Sequence, residues 1–153
     1  MTEASDSINQ NDPFNLERFV SAQSKDYHAV RKELKCGRKE THWMWYIFPQ
    51  IDGLGYSPTS KRYAIKSKQE AQQYLEHPVL GKNLRECVQL LLDLEGRSAA
   101  EIFGFPDDLK LKSSMTLFAY IKSEAPMFAR VLDKYFQGER DIKTLNLLDQ
   151  HTA

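Results

Sequence analysis

The sequence predicts a mainly α fold: a compact single-domain bundle of about seven to eight helices with little or no sheet. Apolar residues recur at helical spacing along most of the chain. Capping residues, prolines and glycines mark where these segments start and end. At 153 residues the chain is long enough for one domain with a sizeable core. We expect residues 1–12 to be a disordered polar tail and residues 13–153 to be a single globular α-helical domain.

The first helix is predicted to begin at Asp12 and Pro13, because aspartate caps helices well and proline suits the first turn. It is predicted to end at Gly37, since glycine readily adopts the left-handed conformation that follows a helix. An apolar stripe at helical spacing supports the interval between them. The stripe consists of Leu16, Phe19, Val20, Tyr27, Val30 and Leu34.

Residues 42–48, HWMWYIF, form an aromatic segment that holds both tryptophans of the chain. Continuous apolarity fits either a buried strand or a buried helical segment of about two turns, and Pro49 ends either one. Residues 51–60, IDGLGYSPTS, combine two glycines, a proline and three hydroxyls. This composition predicts an ordered loop over a site, with hydroxyls and backbone amides facing a ligand.

Six further helices are predicted from local start signals, and His77, Gly96, Gly104 and Gly138 are their predicted breaks. Two of the starts are serine–glutamate capping boxes, in which each side chain bonds the other residue's backbone amide. The predicted starts are Ser67 with Glu70, Pro78, Ser98 with Glu101, Asp107 or Asp108, Pro126, and Asp141.

The charge balance is even, with 21 basic and 21 acidic residues. Such neutrality argues against a general binder of nucleic acid or anionic membranes, although residues 35–39 form a local basic stretch. No apolar run reaches the roughly 18–20 residues of a membrane-spanning helix, and no signal segment is recognisable. We expect a cytoplasmic protein in which Cys36 and Cys87 are free thiols.

No cofactor and no metal site are predicted. The chain has neither a glycine-rich phosphate loop nor paired cysteines, and the glycines of residues 53–55 are too few for a dinucleotide motif. A zinc site would require the fold to assemble ligands that are far apart in the sequence. Those ligands would be Cys36, His42, His77 and Cys87.

The aromatic segment and the loop after it supply the first candidate site residues. His42 is a candidate acid/base catalyst, or else it caps the segment or bonds a carbonyl. Trp43 and Trp45 are candidate stacking platforms, or else core residues; on a helix they point about 200° apart. Gln50 either contacts the polar edge of a ligand or holds the loop backbone, and Ser57 is a candidate ligand contact.

Residues 110–118, KLKSSMTLF, supply the second set. Ser113, Ser114 and Thr116 are unfavourable inside a helix, so their clustering suggests that the hydroxyls face something polar. An anionic group such as phosphate would suit Lys110 together with a serine. The alternative is that these hydroxyls bond back to the helix or permit close helix packing. A serine nucleophile would need His42 as its base, and the sequence does not bring the two together.

These segments resemble the Domain of Unknown Function 1810 family. The resemblance covers about residues 14–148 and rests on four ordered motifs. They are HWMWYIFPQ with GLGYS, EAQQYLEHPVLG, IFG-x-x-D-x-x-K-x-KSSMTLF and D-x-x-TL. It implies a compact, mainly α-helical fold and no established activity. Members of the family are sometimes labelled calpastatin, but that inhibitor is a disordered repeat protein whereas this chain has a globular pattern.

The predicted function is binding of a polar small molecule, such as a nucleotide or an ADP-ribose-like ligand, between residues 42–57 and the helix of residues 110–116. Hydrolysis of that ligand is an extension that the residues leave open. The alternative is a non-catalytic protein-interaction or homo-oligomeric structural module with an exposed apolar patch. Nucleic-acid binding ranks third. No membrane partner is expected, and the sequence does not predict an oligomeric state.

Overall fold

The protein is described by a computed structural model that covers residues 11–150. Nine helices lie in these residues, so the predicted mainly α fold is confirmed with one or two more helices than expected. They are α1 (Glu17–Cys36), α2 (Met44–Ile47), α3 (Pro58–Arg62), α4 (Lys68–Glu76), α5 (Leu80–Asp93), α6 (Ala99–Phe103), α7 (Asp107–Ile121), α8 (Met127–Phe136) and α9 (Ile142–Gln150). Ile51 and Ile65 form an isolated parallel bridge, and residues 11–150 contain no longer strand. None of these helices is both long and apolar enough to span a membrane.

The start of α1 differs from the prediction. The Asp12 carboxylate accepts hydrogen bonds from the amides of Leu16 at 2.7 Å and Glu17 at 3.0 Å. It therefore organises a turn, and α1 begins only at Glu17. The predicted end is confirmed, since Gly37 follows the helix with φ 72°. Of the predicted tail, residues 1–10 lie outside the described residues.

Arg18 anchors the beginning of α1 to the segment before α4. Its guanidinium donates to the carbonyls of Arg62 at 2.6 Å and Ala64 at 2.9 Å, and to two carbonyls of its own turn. The remaining bond goes to Glu70 at 2.7 Å, whose other carboxylate oxygen accepts the Lys66 amide. All five N–H donors of Arg18 are thereby used in a nearly buried ion pair.

The aromatic segment contains a single helical turn, α2, which resolves the choice between strand and helix. The loop after it is shorter than predicted because Ser57 and Pro58 start α3. The Ser57 hydroxyl accepts a hydrogen bond from the Ser60 amide at 3.1 Å, and proline occupies the first turn. Residues 48–57 therefore run between two short helices.

Helix α7 lies at the centre of the bundle and packs against α4, α6, α8 and α9. Residues 113–119 are all buried, hydroxyls included. Aromatic rings extend the core on both sides of α7. The centre of the Phe118 ring lies 5.6 Å from that of Tyr74 and 5.8 Å from that of Phe128. The serine-rich stretch predicted as a site is thus also part of the core.

Most of the later helices begin where their local signals predict. Ser67, Ser98 and Asp141 each directly precede a helix. Helix α5 instead begins two residues after Pro78, because the His77 Nδ1 atom accepts the amides of the two following non-proline residues at 3.1 and 3.2 Å. Helix α7 begins at Asp107 itself, which is its first residue and not its cap.

Candidate functional site

The two tryptophans have different environments, with Trp43 as the residue before α2 and Trp45 inside it. Trp43 is completely buried, and its Nε1 atom donates to Glu33 at 2.8 Å. Trp45 is only partly buried. Trp43 therefore belongs to the core, while the ring of Trp45 reaches the surface.

Glu33 holds the turn that precedes α2. Its carboxylate accepts the amides of Glu40 at 2.7 Å and Thr41 at 3.1 Å, together with the Thr41 hydroxyl and Trp43. Burial opposes the charge of Glu33, but these hydrogen bonds outweigh it and hold its pKa below the ordinary value. His42 is exposed in this turn, and its carbonyl accepts the Tyr46 hydroxyl at 3.2 Å.

A charged bridge connects the two tryptophans to α7. Asp107 pairs with Lys39 at 3.0 Å and with Lys110 at 3.2 Å. The Lys39 ammonium lies 5.1 Å from the centre of the Trp43 ring, and the Lys110 ammonium lies 5.2 Å from that of Trp45. Lys110 thus combines a partly exposed positive charge with an aromatic face, which is a suitable arrangement for an anionic ring compound.

A small crevice lies beside Trp45. Its volume of about 10 Å³ admits at most a single water molecule. The loop closes it tightly, since a Cβ added to Gly55 would lie 2.5 Å from the Ser60 Cβ. The crevice is lined by Trp45, Gln50, Ile51, Gly55, Ser60, Tyr63 and Ala64.

A larger groove of about 270 Å³ lies where the same loop meets α9. Tyr56 stands at its edge with 83% of its surface exposed. Leu147 forms the floor, because Gly53 packs so closely on it that an added Cβ would lie 3.1 Å from its side chain. The groove is lined by Gly53, Leu54, Tyr56, Lys143, Asn146 and Leu147.

Tyr56, Lys143 and Asn146 are candidate ligand contacts that sequence reasoning did not select. Tyr56 is an exposed aromatic in a glycine loop, a signal that could have been found. Lys143 and Asn146 carry no local signal. They reach the groove only because α9 docks beside α7, and that contact joins segments far apart in the sequence.

Ser113 and Thr116 make that docking contact. The Ser113 hydroxyl lies 3.2 Å from the Leu109 carbonyl and 3.0 Å from the Asp141 carboxylate. The Thr116 hydroxyl donates to the Lys112 carbonyl at 2.8 Å and accepts the Asp141 amide at 2.9 Å. Both hydroxyls therefore bond back to α7 and hold α9 against it. This is the structural role that the sequence analysis gave as the alternative to ligand contact.

Ser114 differs from both neighbours. It is completely buried, and its Oγ atom has no hydrogen-bond partner among residues 11–150. Ser114 lies four residues after Lys110 and thus on the same face of α7, one turn further along. A buried hydroxyl without a partner costs about 1–3 kcal/mol of stability. Hydrogen bonding within the protein therefore does not explain why position 114 holds a serine.

The predicted site residues therefore fall into three groups. Trp45 and Gln50 line one crevice, and Lys110 and Ser114 share the face of α7 that contains the contact to Trp45. The second group, His42 and Trp43, lies at the Glu33 turn, and neither lines the crevice or the groove. The third group serves local structure: Ser57 caps α3, whereas Ser113 and Thr116 bind Asp141.

The cysteines are both free thiols. Cys36 is exposed, whereas Cys87 lies in the core, where burial raises the pKa of its thiol to about 12. Among residues 11–150, no three histidine, cysteine, aspartate or glutamate side chains are arranged to hold a metal ion.

The fold and this surface define a class: a small, single-chain, mainly α-helical protein with an aromatic segment packed against a serine-rich central helix. A family profile described as "Protein of unknown function (DUF1810)" matches residues 13–148, and the chain belongs to that family. It is also similar to the solved structure of the conserved hypothetical protein Rv1873 from Mycobacterium tuberculosis. The two share 53% identity over 90% of this chain and 99% of that one, with a TM-score of 0.89. A comparison with curated proteins gives no match.

Proposed function

We propose that the protein binds a polar small molecule that carries a flat ring and an anionic group, of nucleotide or ADP-ribose-like chemistry. The site is the face where the loop of residues 53–57 meets Trp45, Lys110 and α9. The flat part of the ligand stacks on an aromatic ring, and its anionic part pairs with a lysine.

The observation that carries this proposal is the position of Lys110 over the partly exposed ring of Trp45. Gln50 shares the crevice beside that ring, and Gly55 forms its opposite wall. On the other side of the same loop, Tyr56 and Lys143 repeat the combination of an aromatic ring and a cation. Two such combinations beside the same loop favour a ligand with more than one recognition element.

The crevice is too small for a nucleotide in this conformation, so binding requires the loop to move away from Trp45. The loop is suited to that movement because few of its residues are buried: Gly53, Tyr56 and Ser57 are all exposed. Opening would join the crevice to the groove of about 270 Å³, giving a volume close to the lower end of the range for small-molecule sites. Binding would then be slower than diffusion allows, since the loop must open first.

Hydrolysis of the ligand is a separate prediction. His42 is exposed and lies at the Glu33 turn, outside the crevice and the groove. Loop movement does not by itself carry His42 to Trp45, so the contacts support binding more than catalysis. Incubation with ADP-ribose, AMP or ribose 5-phosphate followed by product analysis tests turnover. A His42→Ala variant tests whether His42 is the acid/base catalyst.

A thermal-shift screen with nucleotides, ADP-ribose and sugar phosphates tests binding. A ligand present at 100 times its dissociation constant adds about 2.7 kcal/mol of stability, which raises the melting temperature by roughly 5 °C or more. If Lys110→Met weakens binding tenfold or more, the shift at the same ligand concentration should fall by about half or more. Lys112→Met is the matched control, because Lys112 lies on the same helix but pairs with Glu139 at 2.6 Å and does not line the crevice beside Trp45. Absence of a shift with every compound would contradict the proposal.

The second candidate is a protein-interaction module, which the exposed apolar side chains favour. Phe105 and Ile142 are 81% and 66% exposed, and Leu109 is 47% exposed. Leu109 and Ile142 flank the hydrogen bond from Ser113 to Asp141, so they lie near one another. Light scattering across a concentration series tests self-association. A monomer at every concentration would remove the homo-oligomeric form of this candidate.

A further inference from the structure

One face of α1 is strongly basic although the whole chain has no net charge. Its basic side chains are all exposed, and they follow the helix and the first residues after it. We call this the α1 basic face. It consists of Lys25, His28, Arg31, Lys32, Lys35 and Arg38.

The acidic residues of the second half of α1 do not neutralise this face, because they are used elsewhere. Asp26 accepts the Tyr46 hydroxyl, and Glu33 accepts four hydrogen bonds from the turn before α2. Two further carboxylates lie at the margins. Glu86 of α5 is paired with Lys82 at 2.7 Å and also interacts with the charge of Arg31, and Glu40 is exposed beyond the end of α1. The second half of α1 therefore separates its charges, with Asp26 and Glu33 bonded to the segment around α2.

Two shallow depressions accompany the face. One, of about 390 Å³, is lined by His28, Arg31, Lys32 and Lys35 alone. The other, of about 240 Å³, is lined by Ala29, Lys32, Glu33, Cys36, Arg38 and Glu40. Neither has a large apolar side chain in its wall. A protein partner normally needs an apolar or aromatic centre in its interface, so this surface is unsuited to one.

The geometry points to the phosphodiester backbone of a nucleic acid as the ligand of the α1 basic face. Lys25 and Lys35 are ten residues apart, which spans about 15 Å along a helix. This length covers about four phosphates of one strand at roughly 3.4 Å each. His28, Lys32 and Lys35 follow one another at spacings of four and three residues, so they form a continuous row. Contacts of this kind hold the backbone and do not read the base sequence.

This inference changes what the even charge balance means. Zero net charge excludes a long-range attraction over the whole protein, but binding depends on the local density of cations. Arg31 and Arg38 supply planar guanidinium groups that match phosphate oxygens, and the lysines supply point charges. The face shares no residue with the Trp45 and Lys110 site, so either proposal can fail without the other.

Fluorescence anisotropy with a labelled 20-nucleotide oligo(dT) and a labelled 20-base-pair duplex tests the inference in the full chain. Neutralising about four phosphates predicts that the affinity for the duplex falls about 150-fold between 50 and 200 mM salt. The double variant Lys32→Glu with Lys35→Glu should reduce affinity at least tenfold and halve the salt dependence. Its charge-matched control is Lys61→Glu with Arg130→Glu, at two exposed positions of α3 and α8.

Three outcomes would overturn the inference. The first is no binding of either oligonucleotide at 50 mM salt. The second is an equal loss in the test and control variants, which would indicate only a general charge effect. The third is binding to vesicles containing phosphatidylserine without binding to either oligonucleotide, which would assign the face to a membrane. Circular dichroism of both double variants ensures that a lost signal does not come from unfolding.

Discussion

Two groups of polar side chains inside this helical domain differ in how completely they are bonded. Arg18 uses all five of its N–H donors, and the carboxylate of its partner Glu70 also accepts the Lys66 amide. Ser114 has no partner among the described residues, although it is equally deep. Unpaired buried polar groups cost stability. The hydrogen bonds of Arg18 and Glu70 therefore stabilise the fold, whereas the hydroxyl of Ser114 does not. The Arg18 group is therefore scaffold, whereas hydrogen bonding within the described residues does not account for Ser114.

Removing Arg18 should have the largest effect on stability. An Arg18→Ala variant leaves Glu70 as an unpaired buried charge, which costs about 3–5 kcal/mol. Urea denaturation followed by circular dichroism measures the loss. A Lys110→Met variant, whose ammonium is partly exposed, should lose less than about 1 kcal/mol in the same experiment. Equal losses in the two variants would end the distinction between scaffold and site.

Removing Asp141 should have the second largest effect. Its carboxylate accepts the Ser113 hydroxyl at 3.0 Å and the Thr144 amide at 3.1 Å, so it both caps α9 and docks it on α7. Asp141→Ala should cost about 2 kcal/mol, and hydrogen exchange should rise first in α9. If the amides of α9 in this variant stayed as protected from exchange as those of α5, Asp141 would not be what docks α9 on α7.

Two neighbouring serines on α7 should respond with opposite signs. Ser113→Ala removes a bonded hydroxyl and should cost about 1 kcal/mol. Ser114→Ala removes an unpaired one and should leave stability unchanged or raise it by about 1 kcal/mol. Thermal denaturation of the two variants side by side gives the comparison. A clear destabilisation by Ser114→Ala would mean that Ser114 is bonded after all, through a buried water or a changed rotamer.

Replacing Glu33 should have the smallest effect on the free energy of unfolding, and this effect should depend on pH. Hydrogen bonds hold its pKa below the ordinary value, so its contribution is present above the pKa of an unfolded glutamate. That contribution is lost as the pH falls through the lower, folded value. It should not exceed about 1 kcal/mol, since the group is partly solvated. Unfolding free energies measured between pH 7 and pH 3 should fall less steeply in Glu33→Gln than in the parent.

Local signals in the sequence were sufficient to predict where most helices begin or end. Ser98 and Glu101 form the predicted capping box with both reciprocal bonds present, at 3.1 and 2.9 Å. Asp141 likewise precedes α9 as expected. Both cases depend on residues three positions apart, where backbone geometry alone decides which groups meet. The late start of α1 was missed because Asp12 bonds amides four and five residues away instead of capping.

Long-range pairings could not be read from the sequence. Arg18 and Glu70 are 52 positions apart, and Ser113 and Asp141 are 28 apart. Without those contacts, nothing distinguishes the hydroxyl of Ser113, which docks α9, from that of Ser114, which has no partner. The sequence therefore singled out the hydroxyl-rich stretch of α7 but could not show which of its serines contacts another helix.

Isothermal titration of ADP-ribose, with AMP and ribose 5-phosphate in parallel, tests the central claim most directly. The proposal predicts saturable binding of at least one of these compounds to the parent protein. Lys110→Met should weaken that binding tenfold or more, because it removes the cation beside Trp45. Lys112→Met should bind as the parent does, since Lys112 pairs with Glu139 and does not line the crevice beside Trp45. No heat with any of the three compounds at millimolar concentration, or an equal loss in both variants, would contradict it.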